Sequence, residues 1–265
     1  MRRVKQVVGQ VDRAVLGGML KRFYVNRIVE KRLIRHRSDL FRHGFIGEYI
    51  KNDNSLLNVL CDEYGSDKGE VNGDGNPYVW ASHNYADIYE LMFRLRRNDV
   101  ELVVECGLGT NNSDLKSSMG VMGKPGASLR VWKDYFPKAR IIGIDIDADI
   151  LFQEDRISTF QCDQTSENSI KRFCKTALLT EASVDIIIDD GLHEFQAGKS
   201  LFEAMNKYLA NDGIYAIEDV SQADYRLFKD YFAELENKFT VQFFNLQRPN
   251  LAVRENRLIV VRHKV

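Results

Sequence analysis

From Glu101 onward, short apolar runs alternate with longer stripes in which apolar positions recur every three or four residues. The runs near 101–105, 140–145, 184–189 and 213–218 are rich in Val and Ile and bounded by Gly, Asp or Asn, so they predict buried strands, and a further strand near 158–162 falls between them. The stripes near 126–135, 167–178, 195–209 and 223–236 predict amphipathic helices packed between them. Such alternation predicts a doubly wound, Rossmann-like sheet, mostly parallel. Two last strands, near 239–245 and 257–262, are joined by a stretch without helical pattern. They should pair antiparallel, because a parallel return needs a crossover, usually a helix.

Upstream of that pattern the sequence predicts a short helix from Leu56 to Tyr64, a polar turn Asn72–Pro77 and a helix from Ala86 to Arg96. Further upstream, Val4, Val7, Val8, Val11, Val15 and Leu16, then Leu20, Phe23, Tyr24 and Ile28, fall at helical spacing. The expected division is a basic amphipathic helical extension, 1–50, and an α/β domain, 51–265.

Charge sharpens this division. The chain has 265 residues and a net charge of -1, yet Met1–His43 holds 12 Lys/Arg against 3 Asp/Glu, leaving 25 against 35 for the rest. A basic amphipathic arm can lie on an anionic lipid surface, which makes peripheral membrane contact one reading beside a plain solvated face. Nucleic acid is disfavoured, since no interleaved aromatic pattern accompanies the basic residues. The arm lacks the long apolar run of a secretory signal, and no stretch reaches the roughly 18 apolar residues of a membrane span. Cys61, Cys106, Cys162 and Cys174 form neither a C-x-x-C pair nor zinc spacing, so a reducing cytoplasm is expected, with the arm at the inner membrane face. Homo-oligomerisation stays open.

The candidate chemistry sits at strand ends. Val103-Val104-Glu105-Cys106-Gly107-Leu108-Gly109 runs a strand into a Gly-x-Gly turn, which lets backbone close on a small charged ligand. The third glycine of a dinucleotide fingerprint is missing, and Glu105 suits a positively charged ligand better than a pyrophosphate. Asp145 ends the second strand, where an acid accepts ribose hydroxyls in nucleotide folds, and Asp163 ends the third, where it would meet an adenine amino group. Val184–Asp190 and Ile214–Asp219 also end in acids.

With Gly143–Asp147, Cys162-Asp163-Gln164 and Ile188-Asp189-Asp190-Gly191-x-His193, these motifs resemble class I S-adenosylmethionine-dependent methyltransferases. Tyr64–Gly69 and the long Ser117–Arg130 segment make the chain similar to metal-dependent sugar O-methyltransferases of macrolide tailoring and bacterial glycan gene clusters. The resemblance spans about residues 56–220. It implies that Glu105, Gly107 and Gly109 frame the aminoacyl end of the cofactor, that Asp145 binds its ribose and that Asp163 with Gln164 binds its adenine. Tyr64, Ser66, Asp67 and Lys68 would close over the cofactor, and Asp189 completes that set. Asp190, Glu218 and Asp219 would hold Mg²⁺ or another divalent cation, and His193 would be the general base. The implied acceptor is a sugar-containing molecule.

Each residue also has a plainer reading. Asp189 or Asp190 could cap the next helix, Glu218 and Asp219 could be loop acids, His83 could pack or touch substrate, and Gly120–Gly126 could be a lid or a long turn. Two competing functions remain on the same fold: an NAD(P)-dependent oxidoreductase, and a relative that binds cofactor or metal without methylating.

Overall fold

The computed structural model describes residues 47, 49, 51–71, 78, 80–247 and 255–264. The expected helical arm therefore lies outside the described residues, apart from Gly47 and Tyr49, and so does the turn Asn72–Pro77. The fold belongs to a compact unit of residues 52–247 and 253–265; the other unit, 1–51 with 248–252, lies almost wholly outside the described residues.

The elements run α1 (Leu56–Tyr64), α2 (Tyr85–Phe93), β1 (Leu102–Cys106), α3 (Ala127–Tyr135), β2 (Arg140–Asp145), β3 (Gln153–Glu154), β4 (Ile157–Gln161), α4 (Glu167–Thr176), β5 (Val184–Asp189), α5 (Phe195–Met205), β6 (Leu209–Ile217), α6 (Gln222–Ala233), β7 (Phe239–Asn245) and β8 (Arg257–His263). The strands form one eight-stranded sheet in the order β3-β4-β2-β1-β5-β6-β8-β7. The pairs β1–β2, β1–β5, β2–β4 and β5–β6 are parallel. The final hairpin β7–β8 is antiparallel, and β8 runs antiparallel to β6. Strand order reverses at β1, so the ligand crevice of such a sheet opens beyond the C-terminal ends of β1 and β5.

Side chains alternate across each strand, which divides the core into two layers. Val103, Ile141, Ile186, Ile188, Ile214 and Ala216 face α1, α2 and α3. Val104, Ile142, Ile144, Ile187, Tyr215 and Ile217 face α4, α5 and α6. This alternation holds to the end of β1 and carries one residue past β5 and β6. Glu105, Asp190 and Glu218 share the parity of Val103, Ile188 and Ala216, so the sequence aims them at the layer of α1–α3. Asp189 shares the parity of Ile187 and faces the other layer.

Two details depart from the sequence pattern. Strand β3 has two exposed residues and no hydrophobic signature; it exists because it pairs antiparallel with β4. Strand β6 begins at Leu209, after a 3₁₀ turn at Asn206–Tyr208, because a register shift lets exposed Asn211 and Asp212 ride within the strand.

The turn after α1 brings a cation to the sheet edge. Ser55 caps the helix start by accepting from the Asn58 N–H, and Gly65 ends it in the left-handed conformation at φ 73°. The Ser66 N–H then bonds Cys61 O at 2.8 Å, turning Ser66-Asp67-Lys68 back toward the sheet. The Asp67 and Lys68 carbonyls accept from the His83 and Ala86 N–H groups, at 2.7 and 2.9 Å, tying this turn to the start of α2.

Phe202 of α5 is 1 % exposed and makes edge contacts with Tyr215, Phe232 and Phe239. Phe202→Ala should lower unfolding free energy by about 3–5 kcal/mol, read from urea denaturation followed by circular dichroism. A loss below about 1 kcal/mol would mean that this layer repacks freely.

Candidate active site

The three acids aimed at the α1–α3 layer converge on one ammonium. Lys68 Nζ lies 2.6 Å from Asp190 Oδ2, 2.6 Å from Glu218 Oε2 and 3.2 Å from Glu105 Oε1. Lys68 is 3 % exposed, Glu105 0 % and Glu218 2 %. The second oxygen of Glu105 accepts from Trp132 Nε1 at 2.8 Å, and that of Glu218 from the Tyr89 hydroxyl at 2.5 Å.

A second cluster adjoins the first. Asp190, His193 and Asp219 each offer one ligand atom, all within 4.8 Å of one another. His193 Nε2 is 3.2 Å from Asp190 Oδ1, and Nδ1 is 3.9 Å from Asp219 Oδ2. The outward oxygens are already held: Asp190 Oδ2 by Lys68, and Asp219 Oδ1 by the Tyr85 hydroxyl at 2.7 Å, with His83 Nε2 at 3.3 Å. His83 stacks on Tyr85, and its Nδ1 lies 3.1 Å from Asn256 Oδ1. His193 and Asp219 both take positive φ, 59° and 51°, a conformation that non-glycine residues keep only when surroundings impose it. Two carboxylates and an imidazole suit a divalent cation.

The glycine loop lies beside this site. Gly107 has φ 93°, and a Cβ there would come within 1.9 Å of the Asp190 carbonyl oxygen, so only glycine allows β1 and β5 to end this close together. Asp145 is 7 % exposed and fastens the loop, accepting from the Leu108 N–H at 2.7 Å and the Asp147 N–H at 2.9 Å. Thr110 bonds Asp147. The following segment is pinned rather than loose: Met119 N–H bonds Thr110 O, Gly126 N–H bonds Leu108 O, and Asn111 donates to the Gly120 and Gly123 carbonyls. Its tip exposes Val121 and Met122.

The other expected residues divide. Asp163 is partly exposed and accepts from the Thr165 N–H and hydroxyl. Gln164 is buried and bridges, donating to Asp189 Oδ1 at 3.1 Å and accepting from the Leu192 N–H at 2.7 Å. Asp189 Oδ2 is buried without a hydrogen-bond partner, next to Gly198 of α5, as strand parity requires. Tyr64 bonds Asp134 on α3, and Asp67 accepts from Trp80 Nε1 at 2.7 Å. Ser66 is buried in the turn. Lys68 sits in the acid cluster, and Glu218 is engaged by Lys68 and Tyr89 instead of joining Asp190, His193 and Asp219. Sequence reasoning does not single out Tyr85, Tyr89 and Trp132 as site residues; the i, i+4 spacing of the two tyrosines on α2 is the available signal.

Charge follows this geometry. Burial works against the Lys68 ammonium, but Asp190, Glu218 and Glu105 outweigh it and hold its pKa well above the ordinary lysine value. Burial pushes Asp190 up as well, yet Lys68 and His193 prevail and hold it well below the usual carboxylate range. Burial pushes Glu105 up, and burial with Asp190 and Glu105 nearby pushes Glu218 well up, in both cases despite Lys68. Burial and the neighbouring acids hold the Tyr85 and Tyr89 hydroxyls protonated, as donors. Burial raises Asp189 to about 6. Burial disfavours the His193 cation, but Asp190, Asp219 and Asp189 raise it to about 10.

No protein-family model matches the chain. It is similar to demethylmacrocin O-methyltransferase of Streptomyces fradiae, 33% identical over 143 residues that cover 53% of this chain and 33% of the relative. It is also similar to 8-demethyl-8-(2-methoxy-alpha-L-rhamnosyl)-tetracenomycin-C 3'-O-methyltransferase of Streptomyces olivaceus, 32% identical over 139 residues, 52% of this chain and 32% of the relative. The chain thus spans about a third of the length of these relatives. Among solved structures, MycE methyltransferase from the mycinamycin biosynthetic pathway in complex with Mg, SAH and mycinamycin VI matches 79% of this chain and 54% of that one, at 24% identity and a TM-score of 0.57. That likeness establishes the fold as a methyltransferase-type Rossmann-like sheet.

In chelator-treated protein, His193 should make stability pH-dependent. Its folded pKa of about 10 exceeds the unfolded value of 6.5, so the contribution is complete below about pH 6.5 and is lost as pH rises through about 10. Urea midpoints of wild type and His193→Gln should therefore converge between about pH 7 and 10.5. Parallel curves would show that the two aspartates do not act on this imidazole.

Proposed function

We propose that the protein is an S-adenosylmethionine-dependent O-methyltransferase that methylates a sugar hydroxyl with the help of a divalent cation. What supports the reading is the meeting of Asp190, His193 and Asp219 at the tips of β5 and β6, directly beside the Gly107–Gly109 loop. The two relatives named above are O-methyltransferases, one of them of a rhamnosyl-tetracenomycin, and the solved neighbour is a methyltransferase in complex with Mg and SAH. A buried acid before the first glycine argues against a pyrophosphate there, and so against the NAD(P) reading.

When bound, S-adenosylmethionine supplies an electrophilic methyl group, and a dication supplies positive charge that lowers the pKa of a nearby hydroxyl and of His193. Asp190 Oδ1 and Asp219 Oδ2 would hold the cation, each aspartate steadied through its other oxygen. His193 would donate from Nε2 to Asp190 and keep the Nδ1 lone pair open. Nδ1 would take the proton of the acceptor hydroxyl as the new O–C bond forms and the S–C bond breaks. Glu105, Gly107 and Gly109 would bind the cofactor's aminoacyl end, with Asp145 and Asp163 toward its ribose and adenine. The segment Val121–Met122 offers apolar surface at the rim.

Wild-type protein with S-adenosylmethionine, Mg²⁺ and a panel of deoxysugar glycosides should yield methylated product by mass spectrometry, and EDTA should abolish it. His193→Ala should lower kcat by about 10²–10⁴-fold and leave S-adenosylhomocysteine affinity within a few fold. Near-wild-type turnover in that variant would place the base elsewhere.

The basic stretch Met1–His43 supports a further part of the reading: peripheral contact with an anionic membrane face from the cytoplasm. Among the described residues no helix is long and apolar enough to cross a membrane. Phosphatidylserine vesicles should sediment the 265-residue chain but not a variant lacking 1–43; equal partitioning would end this part.

A further inference from the structure

The turn that carries His193 is held by a side chain from a distant strand. In the sheet β2 and β1 lie between β4 and β5. The loop after β4 is anchored at its start: the Cys162 N–H bonds Asp145 O at 2.7 Å, and the Asp163 N–H bonds Ser169 Oγ of α4 at 3.0 Å. From this loop the buried Gln164 reaches the end of β5. Its Oε1 accepts from the Leu192 N–H at 2.7 Å and lies 3.6 Å from Cys106 Sγ at the end of β1. Its Nε2 donates to Asp189 Oδ1 at 3.1 Å, an oxygen that also accepts from the Gly191 N–H at 3.4 Å. One amide thus holds the turn from Asp189 to Leu192 at both ends. His193 follows directly, at φ 59°.

Gly191 shows that this fit is part of the design of the turn. Its φ is not positive, so no left-handed conformation requires a glycine here. A Cβ at this position would stand 1.8 Å from Gln164 Oε1 and 2.8 Å from its Cδ. What the glycine supplies is room for the amide.

We propose that Gln164 is a positioning residue for the base. Its side chain is a strut between the loop whose Asp163 would meet the adenine and the turn that presents His193, and it does not itself read the cofactor. This rests on the functional reading above. The strut is stiff for a simple reason: releasing either end strands a buried polar group, the Leu192 N–H or a buried oxygen of Asp189. Methyl transfer is sensitive to such support, because a reacting group misplaced by about 1 Å can cost about 10²-fold in rate.

The test uses the 265-residue chain and Gln164→Leu, which keeps the bulk and removes both polar ends. S-adenosylhomocysteine affinity is measured by calorimetry, and amide exchange by mass spectrometry on peptides spanning 190–195. Turnover is measured on a deoxysugar glycoside that wild type methylates. Exchange in the variant should be about tenfold faster, and S-adenosylhomocysteine affinity should stay within a few fold. At saturating cofactor kcat should fall by about 10- to 100-fold, with KM nearly unchanged. A side chain that reads the adenine gives the reverse, weaker S-adenosylhomocysteine binding with kcat kept, and that result overturns the proposal. Unchanged exchange overturns it too, and this readout needs no acceptor.

Gly191→Ala provides an independent arm that leaves Gln164 itself in place. Its methyl group should dislodge the amide and reproduce the losses of Gln164→Leu. In Gly191→Ala/Gln164→Ala the methyl group enters vacated space, so kcat and exchange should be no worse than in Gln164→Ala alone. Additive losses overturn the strut, and this cycle decides the matter if Gln164→Leu does not fold. Failure of the strut in a protein that binds S-adenosylhomocysteine leaves the methyltransferase reading intact. Wild type that binds none overturns both.

Discussion

The structure depends on one electrostatic constraint: three carboxyl groups brought to the same face of adjacent strand ends, two of them out of water and the third half-buried, need a positive charge among them. Glu105, Asp190 and Glu218 arrive together because β1, β5 and β6 are neighbours and their side chains keep a common parity, Glu105 within the end of β1 and Asp190 and Glu218 one residue beyond β5 and β6. Left alone, such a cluster would protonate or push the strand ends apart. Lys68 resolves the conflict from outside the sheet. The Gly65 turn that carries Lys68 is therefore as much a part of the site as the strands are.

From that constraint comes a division of labour between sheet and cover. The sheet delivers the acids, and α2 with the turn before it takes hold of their outer oxygens. Tyr89 and Tyr85 stand four residues apart on one helix face and donate to the consecutive acids Glu218 and Asp219. His83, just before the helix, stacks on Tyr85 and reaches the same Asp219 oxygen. The inner oxygens of Asp190 and Asp219 are then left facing His193. Such supporting contacts fix which atoms a metal or a proton meets. They also explain how His193 and Asp219 can persist at positive φ: each is restrained by side-chain partners as well as by its own chain.

Much of this is legible in the sequence. The alternation of apolar runs and stripes yields the order of elements, because burial on both faces of a parallel strand leaves an uninterrupted apolar run. Asp190, His193 and Asp219 can be picked out because each stands just beyond such a run. What the residues do not reveal is who answers their charge. Lys68 and Glu105 are 37 positions apart, Lys68 and Glu218 150. Their meeting comes from the way α1 and α2 fold over the sheet, and no local pattern encodes it. Trp132 and Tyr89 are hidden for another reason: at helical spacing an aromatic residue reads as core, and these two are core residues with a polar atom turned toward the crevice.

The tandem acids show how parity assigns different tasks to chemically identical neighbours. Asp189 and Asp190 are consecutive, yet one is directed at α5 and the other at Lys68. Asp189 spends one oxygen on Gln164 and Gly191, while the other lies buried beside Gly198, and it titrates near 6. Its work is to bind the loop after β4 to the end of β5. At β6 the same alternation would send Asp219 away from the site, as it does Asp189. Asp219 joins Asp190 instead because its backbone turns left-handed at φ 51°, reversing the side chain's direction. One strained dihedral thus converts a second layer-facing acid into a partner of His193. The energy held in that dihedral is offset by the Tyr85 hydroxyl, which accepts from the Asp219 N–H and donates to its carboxylate. Geometry of this kind lies in a single backbone angle, which is why composition and spacing place Glu218 and Asp219 as equals and the folded chain does not.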